Sequence, residues 1–577
     1  MQRIVNPRQT CLFDPFDAVL TPTVRRRLLD SWPGVLRYVL LELMPVDALR
    51  QHFHPTLGRP TRELYSMAGL ILLMEAFDWT KEQAVNAYCL YTDVQFALNL
   101  EPVAHDLSVR TLERYLQYFE QDELSQQVMH RVTTTLVQRL DLKIDQKRLD
   151  STHVFSDMYQ LGRTRLLGVA IKRFLTAVRR HDPAAYASLP EALRQRYTPS
   201  EHQLFGDTTK AKDQEARRLL RHQVAEDLHQ LLRLFADQPA HANRSSYQAM
   251  ERIFYEQCEV QEEKVIVKDK TGGTVMQNPS DPDATYDGHK GAGYQAQVTE
   301  TCHPDNEAQL ITCVLPQTAA EPDGAAVVPV LEDLKALGLL PEELLADTQY
   351  PDDENVQLAE SYGVELVGPV PGAEPSGRPD DLTIDDFVID ETTEQVTCCP
   401  DGHAPVSSVP HPASGRTHTT MPARACGPCA FRHQCPVQER QDGYHLEHTA
   451  KQRRMAARRR EQETEVFRER YRRRSGIEST NSGLKRRLGL GRLRVRGRPR
   501  VFQAIYLKVT GWNILRASVC AKMREFVRTK AQTAVFCLWT WVLTLSGRPP
   551  RVGDGRSWEI PIPHSLLFRV VPLARPA

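Results

Sequence analysis

The chain has 577 residues, 41% of them hydrophobic and 25% charged, a balance that excludes a wholly disordered, collagen-like or polytopic membrane chain. The 73 basic and 73 acidic residues cancel in number but not in place: positions 321–400 hold 20 acidic and 2 basic residues, whereas positions 451–500 hold 19 basic and 5 acidic ones. That asymmetry points to a nucleic-acid partner for the basic block.

The N-terminal MQRIVNPRQT lacks an apolar run after its charges, so it does not read as a secretory signal. Residues 61–140 predict helices. Leu70, Leu72, Leu73 and Ala76 form a helical stripe, Asp78 and Thr80 are candidate starts of the next helix, and Ser108 is a candidate N-cap. An N-terminal helical domain is expected over 1–140, with its helices around 80–120 open to two readings, a helix-turn-helix-like grip on DNA ends or ordinary packing.

The period then changes. Leu142, Ile144 and Leu149 predict a strand ending just before Asp150. Residues 157–256 are patterned as helices, and 262–275 predicts a hairpin turning at Thr271-Gly272-Gly273. Strands follow at 293–301 and 308–318, a helix at 324–338, a short strand ending at Asp347, a helix at 352–363 and a strand at 364–370. This order predicts a mixed α/β core over 141–370 with a helical insertion at about 157–256.

Residues 371–450 are rich in Pro, Gly, Asp and Cys and predict an inserted subdomain. Residues 451–545 would supply a basic helix and apolar closing helices, with 546–577 a tail. The uncharged run 531–547 is 17 residues long, short of the roughly 20 needed for a membrane span. Twelve cysteines are too few for a disulfide scaffold, so a cytoplasmic protein, nucleoid-associated when bound to DNA, is expected.

Three acidic positions carry the chemistry. Asp150 and Asp347 fall at strand ends, and Glu478 lies on the basic helix. Carboxylates so placed suit two Mg²⁺ or Mn²⁺ ions about 4 Å apart. On a continuous helix Tyr471, Arg474, Glu478 and Lys485 fall inside an arc of about 60°. Gly476 and Gly483 either permit close backbone approach or interrupt that helix. His153 is expected to orient a neighbour through a hydrogen bond.

Cys399, Cys426, Cys429 and Cys435 are the best four-thiolate set for a structural zinc, with Cys398, His403 and His433 as substitutes. The alternative is a set of reduced thiols in a surface insertion. Arg492, Arg494 and Arg496 in RLRVRGRPR predict a DNA-facing loop.

The spacing Tyr471-x2-Arg474-x3-Glu478-x6-Lys485 resembles the Y-R-E-K signature of a branch of bacterial insertion-sequence transposases of the DDE class. Asp150-Ser-Thr-His resembles that family's first-aspartate motif, and Ala346-Asp347-Thr-Gln-Tyr its second, with Gln349 where the family usually has Gly. Asp281-Pro-Asp-Ala and Gly293-Tyr294 resemble the strand region between them. The helical head at about 60–125 resembles the domain that accompanies this core. The resemblance implies an RNase H-like catalytic core in an α/β protein, with Asp150, Asp347 and Glu478 as ligands of two metal ions. It implies a transposase that cleaves insertion-sequence ends and transfers the strand into target DNA. Tyr471, Arg474 and Lys485 would hold the end DNA, and a homodimer would pair two inverted-repeat ends. The competing readings are an RNase H-like nuclease without strand transfer and a decayed transposase that binds DNA as a regulator.

Overall fold

The computed structural model describes residues 2–5, 14–206, 213–372, 380–390, 392–411 and 414–532. Positions 533–545 of the expected closing helices and the tail at 546–577 lie outside the described residues. Among those described, no helix is long and apolar enough to cross a membrane.

The N-terminal region is helical. Helix α1 (Leu64–Ala76) is almost wholly apolar and buries all but two of its residues. Thr80 caps the next helix through a reciprocal bond pair with Gln83. Helix α2 (Val109–Gln121) is capped by Ser108, as its sequence predicts, and α3 (Leu124–Leu140) follows.

Strand β1 (Gln146–Val154) enters the central sheet. The chain then leaves for the helical insertion, whose main helices are α4 (Arg163–His181), α5 (Gln214–Phe235) and α6 (Ser245–Gln257). Phe174, Leu228, Leu231, Phe235, Met250 and Phe254 give that insertion its own core. Its terminal hairpin, Cys258–Gln261 with Lys264–Val267, turns at Glu262 and Glu263, not at Thr271–Gly273 as expected. Both glutamates take positive φ (47° and 65°), the conformation a two-residue hairpin loop demands. Gly273 serves a different need: a Cβ there would lie 2.5 Å from the Tyr286 carbonyl oxygen.

The sheet is completed by β2 (Thr285–Asp287), β3 (Gly291–Thr301), β4 (Ile311–Thr318), β5 (Glu343–Leu345) and β6 (Glu365–Val367). Its order is β4-β3-β1-β5-β6, with β2 beside the start of β3. Strands β1, β3 and β4 pair antiparallel, whereas β5 and β6 run parallel to β1. Helices α7 (Val327–Ala336) and α8 (Asp353–Ser361) make the crossovers that parallel strands require.

Asp150 was expected just beyond a strand. It lies within β1, opposite Val298 of β3. The polar run continues as strand because β3 supplies a hydrogen-bonding partner along its whole length. The parallel neighbour ends earlier, at the Arg148–Leu345 pair. Asp150 and Asp347 are each two residues past that pair, so the register brings them side by side where β5 has run out.

Beyond β6, residues 380–449 contain a four-stranded antiparallel sheet, β7 (Ser407–His411), β8 (Arg416–Met421), β9 (Gln438–Arg440) and β10 (Gly443–Thr449), in the order β7-β8-β10-β9. Phe387, Val396, Met421 and Leu446 form its small core. The helices α9 (Ala450–Gln462), α10 (Glu465–Tyr471), α11 (Gly476–Arg487) and α12 (Arg498–Ala517) follow. One continuous apolar core joins the N-terminal helices to the sheet, through Leu70, Val132 and Leu136 against Leu149, Leu331, Leu344 and Leu507.

Lys147 of β1 is fully buried, and its ammonium has no hydrogen-bond partner. Burial pushes its pKa down to about 7. The unfolded chain therefore binds one more proton than the folded one between about pH 7 and the ordinary lysine range. The Lys147 contribution to stability then rises with pH by about 1.4 kcal/mol per unit in that window. Lys147→Met should raise the thermal midpoint at pH 7, and its advantage over wild type should shrink as the pH is raised to 10, read by calorimetry.

Candidate active site

The three sequence-predicted acids meet around one guanidinium. Arg474 donates from Nη2 to Asp150 Oδ1 at 2.9 Å, and the same nitrogen lies 3.6 Å from Asp347 Oδ2. Its Nη1 lies 3.4 Å from Glu478 Oε1. Asn481 donates to the other oxygen of Asp150 at 3.0 Å. Side-chain exposure rises from 17% at Asp150 to 38% at Asp347 and 68% at Glu478, so the cluster is anchored inside and open at its helical side. Burial pushes the Asp150 carboxyl up, Arg474 pulls it back down, and Asp347 and Asp323 push it up again.

Among the described residues, no group of three or more His, Cys, Asp or Glu side chains stands arranged to hold a metal ion. The cation that the three acids share in this structure is Arg474.

Asp347 is held by a local turn, its Oδ1 accepting the Gln349 amide at 2.8 Å. Gln349 is exposed and is not among the residues with positive φ. The turn therefore does not need the glycine that the resemblance leads one to expect.

The helix carrying the signature is not continuous. A 3₁₀ turn at Arg472–Ser475 separates α10 from α11, which corrects the single helical face drawn from 100° per residue. Tyr471, Arg474, Glu478 and Lys485 nevertheless all border the acids. The Tyr471 ring stacks on Phe467 beside Leu345 and Val367, and burial pushes its hydroxyl pKa up. The Lys485 stem lies against Gly491, where an added Cβ would come within 3.3 Å.

The two glycines of α11 serve close approach. A Cβ on Gly476 would fall 2.0 Å from Arg148 Nη1, and one on Gly483 would fall 2.2 Å from the Trp512 ring. Arg148 uses that space to donate to the Arg473 carbonyl at 2.9 Å. Its Nε donates to Glu300 Oε2 at 2.9 Å. Glu300 is fully buried, and its other oxygen accepts from Thr480 at 2.8 Å and Arg516 at 2.5 Å. One carboxylate of β3 thus ties β1, α11 and α12 together beneath the site.

Several neighbours of the acids were not anticipated. Ser151 donates to Asp323 Oδ2 at 3.0 Å, Lys290 donates to Ser151 at 2.8 Å, and Gln297 donates to Asp323 Oδ1 at 2.9 Å. Lys290 and Asp323 sit in ordinary polar loops of the sequence, and only the sheet brings them together. The Asp281 and Gly293-Tyr294 motifs do meet, the Tyr294 hydroxyl donating to fully buried Asp281 at 2.6 Å.

His153 does not orient a neighbour. Its ring packs edge-on against Phe155, and neither ring nitrogen is hydrogen-bonded to another side chain. The RLRVRGRPR segment is anchored to the sheet by its backbone. Phe155 and Asp157 donate to the carbonyls of Gly491 and Val495, and Leu493 is buried. Leu493 turns inward while Arg492, Arg494 and Arg496 are exposed, and Arg494 pairs with Asp78 of the N-terminal region at 3.0 Å.

The four predicted cysteines do come together. Cys399, Cys426, Cys429 and Cys435 line one cavity of about 20 Å³ in the 380–449 subdomain. Burial, then the three neighbouring sulfurs, push the Cys426 thiol up. His403 also lines the cavity.

Residues 398–517 match the family model of a transposase DDE domain. That segment is about a fifth of the chain and includes Tyr471, Arg474, Glu478, Lys485 and the cysteine cluster. No curated protein matches. Among solved structures, the cryo-EM structure of a piggyBac transposase synaptic complex with hairpin DNA is similar at 11% identity, covering 69% of this chain and 78% of that one, with a TM-score of 0.19. A likeness at that score carries no argument. The domain match supports a DDE transposase.

Removing the charge of Glu300 leaves Arg148 and Arg516 facing an uncharged amide beneath α11. Glu300→Gln should lower stability by about 3 kcal/mol, measured by urea unfolding, and Gly476→Ala should also destabilise the protein by displacing Arg148.

Proposed function

We propose that this chain is a transposase of a bacterial insertion sequence, with an RNase H-like catalytic core, acting on the double-stranded ends of its element and on target DNA. The observation that carries the reading is the convergence of Asp150, Asp347 and Glu478 on Arg474, with Glu478 and Arg474 inside the segment that matches a transposase DDE domain. The sheet order, with an antiparallel half and a parallel half joined at β1, supports the RNase H-like core.

Three hard carboxylates already gathered around a cation suit Mg²⁺ or Mn²⁺. Asp150, Asp347 and Glu478 would be the ligands, and two such ions would supply an activated nucleophile and a stabilised leaving oxygen. Arg474 would then give up the acids and turn to a DNA phosphate, for which its planar fork is suited. Tyr471 and Lys485 flank the same opening and would grip the terminal phosphates. Asn481 keeps Asp150 oriented throughout. A homodimer would hold the two ends together. The unit boundaries that fit this reading are 1–140 for the helical end-binding region, 141–370 for the first part of the core, 371–450 for the cysteine subdomain and 451–545 for the basic and closing helices.

The test is cleavage and joining of a labelled duplex ending in the inverted repeat that flanks the coding sequence, with and without Mg²⁺. Wild type should cut and join only with metal, and Glu478→Gln should lose both steps by at least about 10³-fold. Cutting without joining would instead favour the nuclease, and binding without either step the DNA-binding relic.

The cysteine subdomain has its own reading as a structural zinc site, with Cys399, Cys426, Cys429 and Cys435 as ligands. Purified protein should carry one zinc per chain by elemental analysis. Cys426→Ser should lose the metal and expose 380–449 to protease while the rest of the chain stays folded. Metal-free wild type with a protease-resistant subdomain would leave these residues as reduced thiols.

A further inference from the structure

We infer that Lys290 is a further DNA-contacting residue of this site, its ammonium exchanging Asp323 for a backbone phosphate of the strand being cut. The inference rests on the transposase reading and adds to it a residue outside the Y-R-E-K signature.

The loop that carries Lys290 is fixed at both ends. Asp287 Oδ1 accepts the amides of His289 at 2.8 Å and Lys290 at 2.6 Å. On the other side, Gly291 and Gly293 take φ of +99° and +149°, and a Cβ on Gly293 would fall 2.6 Å from the Val154 carbonyl oxygen. Only glycine allows β3 to approach β1 so closely there. The backbone of Lys290 is therefore held in place beside the end of β1, and its side chain reaches Ser151, the residue after Asp150.

The pairing there is unequal. Asp323 has Ser151 at 3.0 Å and Gln297 at 2.9 Å as donors besides Lys290 at 3.2 Å, and only 16% of its side chain is exposed. If Lys290 departs, both Asp323 oxygens keep a hydrogen bond. Lys290 is 33% exposed and has a third proton beyond those given to Ser151 and Asp323. A part-exposed ion pair of this kind contributes little beside a charge-assisted bond to phosphate. Asp323 is thus a resting place for the ammonium.

Charge points the same way. Lys290 and Lys485 lie close enough to repel each other, and Lys485 also feels the Asp150 charge; Arg474 pairs with the same carboxylate. Three cations thus stand near Asp150, and the negative charge of a phosphodiester would relieve the repulsion between the lysines.

The experiment measures binding without chemistry. A labelled duplex ending in the flanking inverted repeat, and a scrambled duplex of equal length, are titrated in metal-free buffer over a range of salt. Compared are wild type, Lys290→Ala, Lys290→Arg and Asp323→Asn, with thermal midpoints taken for each. Lys290→Ala should bind about tenfold more weakly at low salt, and its log–log salt slope should be shallower by about 0.9, the loss of one phosphate contact. Lys290→Arg should recover both. Asp323→Asn, which frees the ammonium, should bind at least as tightly as wild type. Lys290→Gln, which keeps a donor for Ser151, replaces the alanine variant if that fails to fold.

An unchanged slope and affinity in Lys290→Ala, or a lowered midpoint with the slope intact, would overturn the inference and make the lysine a loop fastener. Wild type that binds the two duplexes equally would count against the transposase reading. The Lys290 comparison would still be read on either duplex, so the two failures remain distinguishable. Wild type that binds neither would overturn both.

Discussion

The buried carboxylate of Glu300 is the constraint on which the rest of the structure depends. It has no access to solvent and satisfies both oxygens from Arg148, Thr480 and Arg516. A lone buried charge would cost several kcal/mol; paired and hydrogen-bonded on every side, it becomes a rigid joint. Two strands and two helices that are distant in sequence meet on it. Arg148 passes the constraint on by holding the Arg473 carbonyl, which places the 3₁₀ turn and hence Arg474 and Glu478. Without that joint, α11 would rest on the apolar contacts of Ile477 and Leu484 and on the Asn481–Asp150 bond.

Above the joint, the same logic is inverted. Asp150, Asp347 and Glu478 are partly exposed and share one guanidinium at distances from 2.9 to 3.6 Å. These are looser, exchangeable contacts. Lys290 with Asp323 repeats the arrangement at Ser151, the residue next to Asp150. The molecule thus places a non-negotiable ion pair beneath a set of negotiable ones, an arrangement that would let the proposed site exchange its internal cations for phosphate and divalent ions without losing its frame.

Much of this was legible in the residues. The strand-forming runs of β3 and β4 and the caps at Thr80 and Ser108 report local chemistry, and local chemistry decided them. What was not legible depended on non-local pairing. Asp150 sits in mid-strand because β3 runs alongside it, a partner about 150 positions away. The 3₁₀ turn depends on Arg148 reaching through the space at Gly476. Lys290 and Asp323 have no periodic signature, since loops are brought together only by the sheet between them. In the segment after α11 the arginines face outward, and what the residues did not reveal was that the intervening Leu493 and Val495 pack inward.

The order of the chain has a consequence for how the molecule comes into being. Arg148 and Glu300 are separated by the whole helical insertion, and Arg516 lies beyond the cysteine subdomain. Each insertion has its own apolar core and can collapse early, whereas the joint needs partners spread over most of the polypeptide. Contacts so distant in sequence form late, because the loop-closure entropy is met before any contact rewards it. On a ribosome the insertions can be compact well before α12 emerges, and until it does Glu300 lacks Arg516. A chain released before α12 therefore lacks one of the three partners of Glu300, and the joint beneath the acids stays incomplete until that helix is made.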